Sequence, residues 1–426
     1  MNNAPIFFCR KLSFLIVFFT FVQVSWGLST GDEHSLFQVS EYKGKVVNSS
    51  GDPINSAYLA VEGTNISTVT NSDGYFSLKI PADMQEVSVT VSHLGYRSRT
   101  LPLEFFKSEN VVIELQETME ELSEVSILSY TDPRAVVENM LKNRGNNYFE
   151  DRATMTAFYR ETIKRGRKNV SLSEAVVTIH KTPYNSMSDD DIALVKARKT
   201  ADYDRLDTVA LKLRGGPYNP LSIDLMKNPT YIFGQDELER FEFSFDQPTK
   251  INDRYLYVVN FKEEDQGMPW YYGKLYIDAR SFTLVKASFN LNVDNRSAAT
   301  DLFVKKKPGG TKVYPVEVHY DIQYRERDGR WYYGYGNTNL EFVVNWKRRL
   351  FNSRYKVSSE LAVTDWKINT EGKVKKDNTF LSNRVVMADD ISGFADVGFW
   401  GENNIIEPDK SIENAIDKIR KRLEEN

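Results

Sequence analysis

The sequence predicts a mainly β protein: a small N-terminal sandwich followed by a larger curved antiparallel sheet or half-barrel with a few helices. Three observations carry this. Aromatic residues make up 13% of the chain, dominated by 25 Phe and 23 Tyr, side chains that pack well on a pleated, half-buried surface. Short segments of period-two alternation recur from Tyr42 onward, separated by turn residues. The connections between later segments are too short for parallel crossovers, so neighbouring strands must run antiparallel.

The chain opens with Arg10 and Lys11, an apolar run Leu12–Val24, and the small residues Ser25 and Gly27 around Trp26. These are the three parts of a secretory signal peptide, expected over residues 1–27 with cleavage near Gly27. A membrane-spanning helix needs roughly 20 apolar residues; the run is shorter, and no second run follows. The mature chain is therefore expected in the periplasm or at the outer-membrane periphery, without a transmembrane segment. Cys9, the single cysteine, precedes the apolar run, so neither a disulfide nor a lipid-modified cysteine after the run is expected. Loss of residues 1–27 removes Arg10 and Lys11 and no acid, leaving a formal charge of −6, which argues against a nucleic-acid partner.

Residues 40–117 read as the sandwich. Val46 leads to the turn Ser50-Gly51-Asp52-Pro53, and Ala57, Leu59 and Val61 then alternate with Tyr58 and Ala60. Asn71-Ser72-Asp73-Gly74 reads as a tight hairpin, with Gly supplying the positive φ. Phe76, Leu78 and Ile80 form the next strand, Val87, Val89 and Val91 another, and Val111, Ile113 and Leu115 close the sheet. The segments Gly44-Lys45-Val46-Val47, Gly51-Asp52-Pro53-Ile54, Val61-Glu62-Gly63-Thr64, Thr70 to Phe76 and His93-Leu94-Gly95-Tyr96 resemble the carboxypeptidase-regulatory-like domain. That resemblance implies a transthyretin-like, seven-stranded sandwich, an accessory rather than a catalytic role, and a setting in the cell envelope of Bacteroidetes-type bacteria. Despite the family's name, no peptidase zinc site is expected: a His-x-x-Glu pair is needed to hold the metal, and none of His34, His93, His180 or His319 has Glu three residues on.

Residues 118–131 read as a linker, acidic from Glu117 to Glu124, with a short strand at Val125–Leu128. Asp132 and Pro133 then cap and open a helix with apolar Val136, Val137, Met140 and Leu141, ending near Arg144-Gly145. The sheet domain spans 132–400, with strands expected at 155–162, 171–180, 241–245, 255–261, 271–277, 283–293, 313–324, 331–344 and 355–364, turns at Asp278–Ser281 and Asp328-Gly329, and 220–226 packed against the sheet. Gly273 to Asp278 with Thr283 to Ala287 is similar to a hairpin of outer-membrane lipoprotein carriers, whose half-barrel holds acyl chains. The whole region, with Ala157 to Glu161 and Ser171 to Ala175, resembles the second domain of the same envelope proteins and implies no activity. Residues 408–425 read as an amphipathic helix carrying Ile412, Ala415, Ile416, Ile419 and Leu423, expected to dock on its own chain because so short a helix is marginal alone.

Few residues recommend themselves as a site. Asp189-Asp190-Asp191 lacks the alternating acids, central Gly and final Glu of a calcium loop, Gly215-Gly216-Pro217 has no following Gly-Lys-Ser/Thr, and His180 and His319 have no ligand-like neighbours in sequence. No catalytic, metal or cofactor site is expected. The aromatic sets Trp270-Tyr271-Tyr272 and Trp331-Tyr332-Tyr333-Tyr335 must face both sides of a sheet, so half of each needs a second layer, a ligand or a partner. Trp270, Tyr272, Trp331 and Tyr333 are the candidate ligand-binding residues, either for an apolar ligand or for a glycan. The expected function is a non-enzymatic exported envelope protein binding a lipid-like ligand or an outer-membrane protein. The alternatives are an enzyme of unrecognised type and a structural or adhesion protein.

Overall fold

Alternation is the rule that builds this chain, and it builds two β units. The computed structural model describes residues 38–108, 111–118, 130–201, 216–233, 238–251, 254–263, 268–303, 309–347, 351–383 and 392–424. Residues 1–27, expected as a signal peptide, and most of the expected linker, including Val125–Leu128, lie outside them.

The first unit holds seven strands: β1 (Val39–Asn48), β2 (Tyr58–Val61), β3 (Ser67–Val69), β4 (Tyr75–Pro81), β5 (Ser88–Ser92), β6 (Arg99–Pro102) and β7 (Val111–Leu115). They form two sheets, ordered β4-β1-β7 and β3-β2-β5-β6. Val46, Leu59, Leu78, Val89 and Ile113 fill the space between the sheets and are fully buried. The turn at Asn71–Gly74 is tight, but it is not a hairpin: β3 pairs with β2 and β4 with β1, so the turn carries the chain from one sheet to the other. Asn71 Oδ1 accepts from the Asp73 and Tyr75 amides at 3.0 and 2.9 Å, an Asx arrangement. Gly74 has φ +81°, and a Cβ there would meet the Val46 carbonyl oxygen at 2.6 Å. Both facts require Gly.

The helix α1 (Pro133–Asn147) is capped by Asp132, whose side chain accepts from the Arg134 amide. It runs one residue pair beyond Gly145, because the chain closes with the Tyr148 amide on the Arg144 carbonyl. Ten strands follow: β8 (Ala153–Arg165), β9 (Lys168–Lys181), β10 (Asp191–Ala201), β11 (Phe241–Ile251), β12 (Arg254–Glu263), β13 (Tyr271–Asp278), β14 (Leu284–Leu291), β15 (Thr311–Arg327), β16 (Arg330–Trp346) and β17 (Ser353–Ile368). The short helices α2 (Tyr218–Ser222) and α3 (Arg296–Phe303) are inserted among them, and α4 (Lys410–Glu424) ends the described chain. The strands make one curved sheet in the order β10-β9-β8-β17-β16-β15-β14-β13-β12-β11, every pair antiparallel.

One face of this sheet is covered by the chain's own helices and loops. Val136, Val137 and Met140 of α1, Tyr184, and Leu221, Ile223, Leu225, Met226 and Phe233 join Ala157, Tyr159, Val259, Leu275, Phe289, Ile322 and Leu361 in a single core. An ion cluster is sealed within it: Lys181 Nζ lies 2.6 Å from Asp190 Oδ2 and 2.7 Å from Asp224 Oδ2, and the Tyr324 hydroxyl donates to Asp224 Oδ1 at 2.9 Å.

The opposite face carries the sandwich. Tyr58 and Val69 from the sandwich, Phe158, Val176, Tyr335 and Ala362 from the sheet, and Trp400, Ile405 and Ile406 from the C-terminal segment pack as one cluster. α4 folds back onto β9, where Ile412 and Ile416 cover Leu172 and Phe394.

Candidate polar cleft between the sandwich and the large sheet

The pairing registers of the large sheet align residues that sequence alone cannot bring together. On the sandwich side, Val176, Phe158, Ala362 and Tyr335 are cross-strand neighbours on β9, β8, β17 and β16, and this apolar row is where the sandwich and the tail sit. Two residues along each strand, the next row is polar on every strand: Arg198, Glu174, Arg160, Glu360, Asn337, Asp321, Ser288, Lys274, Asn260 and Ser244.

At one end of that row the charges are closed into a network. The Arg160 and Arg198 Nε atoms donate to the two oxygens of Glu174, both at 2.7 Å, and all three side chains are nearly inaccessible. Burial alone would raise the Glu174 pKa, but the two guanidiniums outweigh it and hold the carboxylate below its ordinary value. The same guanidiniums grip the tail: Arg160 Nη2 donates to the Ile406 carbonyl at 2.8 Å and Arg198 Nη1 to the Gly393 carbonyl at 3.2 Å.

The sandwich grips the tail from the other side. Asn404 pairs with the backbone of Lys79, accepting at 2.7 Å and donating at 3.0 Å. Asn71 Nδ2 donates to the carbonyls of Glu407 and Pro408 at 3.1 and 3.0 Å. The tail is thus a third component that ties both β units together.

Where the network opens, a cleft of about 380 Å³ lies between the three components. Its floor is Arg160 and Thr162 of β8, Tyr335, Asn337 and Asn339 of β16, and Ser358 and Glu360 of β17; Asn71 and Ser72 of the sandwich and Asp409 of the tail form its walls. Burial raises the Glu360 pKa, and Arg160, with Nη1 3.6 Å from Oε1, offsets this only in part. The Tyr335 hydroxyl donates to Glu360 Oε2 at 3.2 Å. Glu360 therefore presents a carboxyl held above its ordinary pKa at the floor of an amide-rich hollow.

The sequence-predicted residues separate into two groups. Trp331 and Tyr333 are buried in the helix-side core. The Tyr333 amide donates to the Tyr184 hydroxyl at 2.8 Å and its own hydroxyl to the Pro220 carbonyl at 2.6 Å, and neither residue lines the clefts described here. A bulge at Gly334 is the reason the aromatic run divides as it does. The register steps from Gln323↔Tyr335 to Tyr324↔Tyr333, so Tyr333 and Tyr335 face opposite sides although they are two residues apart. A Cβ on Gly334 would meet Arg325 Cγ at 2.3 Å. Trp270 and Tyr272 do share a hollow, of about 430 Å³, with Asn290 and Glu317 on the sandwich side of the sheet; Tyr272 is 45% exposed. His319 bridges toward it, its Nδ1 2.8 Å from Asn290 Oδ1 and its Nε2 2.8 Å from Asp321 Oδ2. The Asp321 hydrogen bond raises the His319 pKa. His180 stacks on Phe380 instead. Among the described residues no three His, Cys, Asp or Glu side chains are grouped to hold a metal ion, and no helix is long and apolar enough to cross a membrane.

A hollow of about 150 Å³ on the helix-covered side is lined by Ile223, Tyr231, Phe303, Tyr320, Thr338 and Leu340, a size that takes a benzene-sized guest.

Residues 42–127 match the CarboxypepD_reg-like domain. The described part of that stretch is the two-sheet sandwich. No curated protein matches the chain. Among solved structures, the chain is similar to a domain assigned to outer membrane lipoprotein sorting from Vibrio parahaemolyticus, at 11% identity over 57% of this chain and 95% of that one, TM-score 0.26. It is also similar to a LolA superfamily protein from Nitrosomonas europaea, at 10% identity over 56% and 94%, TM-score 0.24, and to the Pseudomonas aeruginosa MucA/MucB complex, at 10% over 56% and 100%, TM-score 0.19. Likenesses this distant leave the function to the geometry of the cleft.

Proposed function

We propose that this is a non-enzymatic, exported cell-envelope protein that holds a polar ligand, or a polar segment of an outer-membrane partner, in the cleft between its carboxypeptidase-regulatory-like sandwich and its large sheet. One observation carries the reading: three separate parts of the chain converge on a hollow lined mostly by amides, hydroxyls and charged side chains, with Leu340, Val357 and Ile412 the apolar minority. Ordinary folding does not require such a floor, because polar side chains left unpaired under a second layer cost free energy. Export is supported by the Arg10, Lys11 and Leu12–Val24 pattern.

The apolar-ligand version has weaker support, since the helix-covered face is filled by α1, Tyr184 and residues 221–233 of the same chain. A catalytic version has no imidazole at the cleft, and Glu360 stands there without a second titrating group bonded to it other than Arg160 and Tyr335.

The test is photo-crosslinking in living cells, with p-benzoylphenylalanine replacing Asn339 in the cleft or Val112, which is 55% exposed on the sandwich. Adducts at Asn339 and none at Val112 are expected. Equal labelling at both, or none at Asn339, contradicts the proposal.

A further inference from the structure

The polar face does not end at the cleft. A second row, two residues further along each strand, runs Thr162, Ser358, Asn339, His319, Asn290 and Tyr272 on β8, β17, β16, β15, β14 and β13. It joins the cleft to the Trp270–Tyr272 hollow, and Glu317 lines both.

The chemistry of this row is selective. It is made of hydroxyls, amides and an imidazole: Arg160 shares the Glu174 carboxylate with Arg198, and the row itself holds no Lys or Arg from Thr162 to Tyr272. Lys164 and Lys356 line the cleft as well, but so do Glu317, Glu341, Glu360 and Asp409, and Lys356 is paired with Glu341; this excess of carboxylates disfavours a phosphate or nucleic acid. The row crosses the strands at right angles, so the main-chain groups beneath it are already spent on the sheet. A peptide therefore cannot add as a strand. What remains is side-chain hydrogen bonding at the inter-strand spacing of about 4.8 Å, close to the rise per residue of an extended sugar chain. His319 is fixed by bonds to Asn290 and Asp321 on either side, so part of the row is pre-organised. At its far end Tyr272, 45% exposed, and the partly buried Trp270 offer aromatic faces against which the C–H face of a sugar ring can pack.

Resting on the binding function proposed above, we infer that the ligand is a neutral, hydroxyl-rich glycan, lying across the strands from Tyr272 to the cleft floor at Asn337 and Glu360. The inference names the ligand class of that cleft and extends it to a strip.

The test uses the full mature chain. It is applied to a printed array of bacterial-envelope and plant-wall oligosaccharides and titrated calorimetrically with chitohexaose, cellohexaose and xylohexaose. Binding to at least one extended oligosaccharide is expected, with affinity reduced about ten-fold or more by Tyr272→Ala, as for an anchoring aromatic, and several-fold by Asn339→Ala. Tyr75→Ala, at an exposed aromatic of the sandwich, is expected to leave it unchanged. Binding to no glycan, or equal affinity in all three variants, overturns the glycan assignment. If the Asn339 crosslink then yields a peptide adduct, the cleft reading stands and the glycan one is lost; if it yields none, both fail.

Discussion

The two faces of the ten-stranded sheet are built from the same alternation and have opposite fates. On the helix-covered face, the charged groups are paired: Lys181, Asp190 and Asp224 satisfy one another, and the Tyr324, Tyr184 and Tyr333 hydroxyls all reach Asp224 or a backbone group. On the sandwich-side face, the Arg198–Glu174–Arg160 network is equally closed at one end but continues into Glu360, Asn337 and Asn339, which line an open cleft. A sheet that needs one face for its core has the other available for recognition. The sandwich and the tail cover only part of that other face.

The comparison is broken most severely at the sealed cluster. Lys181→Met leaves Asp190 and Asp224 buried without a counter-ion, and an expected loss of about 3–5 kcal/mol is read by urea unfolding. Glu174→Gln, which leaves Arg160 and Arg198 facing each other, is expected to lose about 3 kcal/mol and, unlike Lys181→Met, to release the tail. Limited proteolysis near residues 394–408 would distinguish them. Equal proteolysis in both variants would mean the tail is not held by the guanidiniums.

Trp400→Ala removes an indole packed edge-on against Phe158 at 5.4 Å between ring centroids and sandwiched with Arg198. A loss of about 3 kcal/mol is expected, with the sandwich becoming protease-sensitive before the large sheet does.

The junction is also pH-sensitive through His93. Burial, then the charge of Lys286, then that of Arg325, against Asp321, lower its pKa from 6.5 to about 4. Below 6.5 the unfolded chain binds a proton that the folded chain refuses until about 4. Stability therefore falls as pH drops through that window, by at most about 3 kcal/mol. His93→Gln should flatten that part of the pH–stability curve; an unchanged slope would place the acid sensitivity elsewhere. The smallest expected effect is Tyr272→Ala, within about 0.5 kcal/mol of the parent in thermal unfolding, since the residue is exposed on the polar face.

Sequence made the local elements legible and left the long-range ones hidden. The turn at Asp278–Ser281 is visible because a single Asp writes it: Asp278 Oδ1 accepts from the Arg280 and Ser281 amides at 2.9 and 2.8 Å. Pro133 behind Asp132 likewise announces α1. The strand β10 escapes notice because its burial does not alternate cleanly and a bulge interrupts it between Leu194 and Lys196. The strand β6 was likewise implied only by the family resemblance. The cleft could not be read from local signals: its floor depends on β8 pairing with β17, elements nearly 200 residues apart, and its wall on Asp409 of a tail whose amphipathic pattern predicts docking but not where. Of the four aromatic candidates, Trp270 and Tyr272 reach a surface hollow and Trp331 and Tyr333 do not, because the bulge at Gly334 decides which side each ring takes.

The most direct measurement is native mass spectrometry of the mature protein isolated from its own envelope. If recognition belongs to the polar face and the helix-covered face is closed core, the chain should carry no acyl-chain lipid, and any retained adduct should be polar and diminished in Asn339→Ala. One lipid per chain, retained in Asn339→Ala, would contradict that division of labour between the two faces.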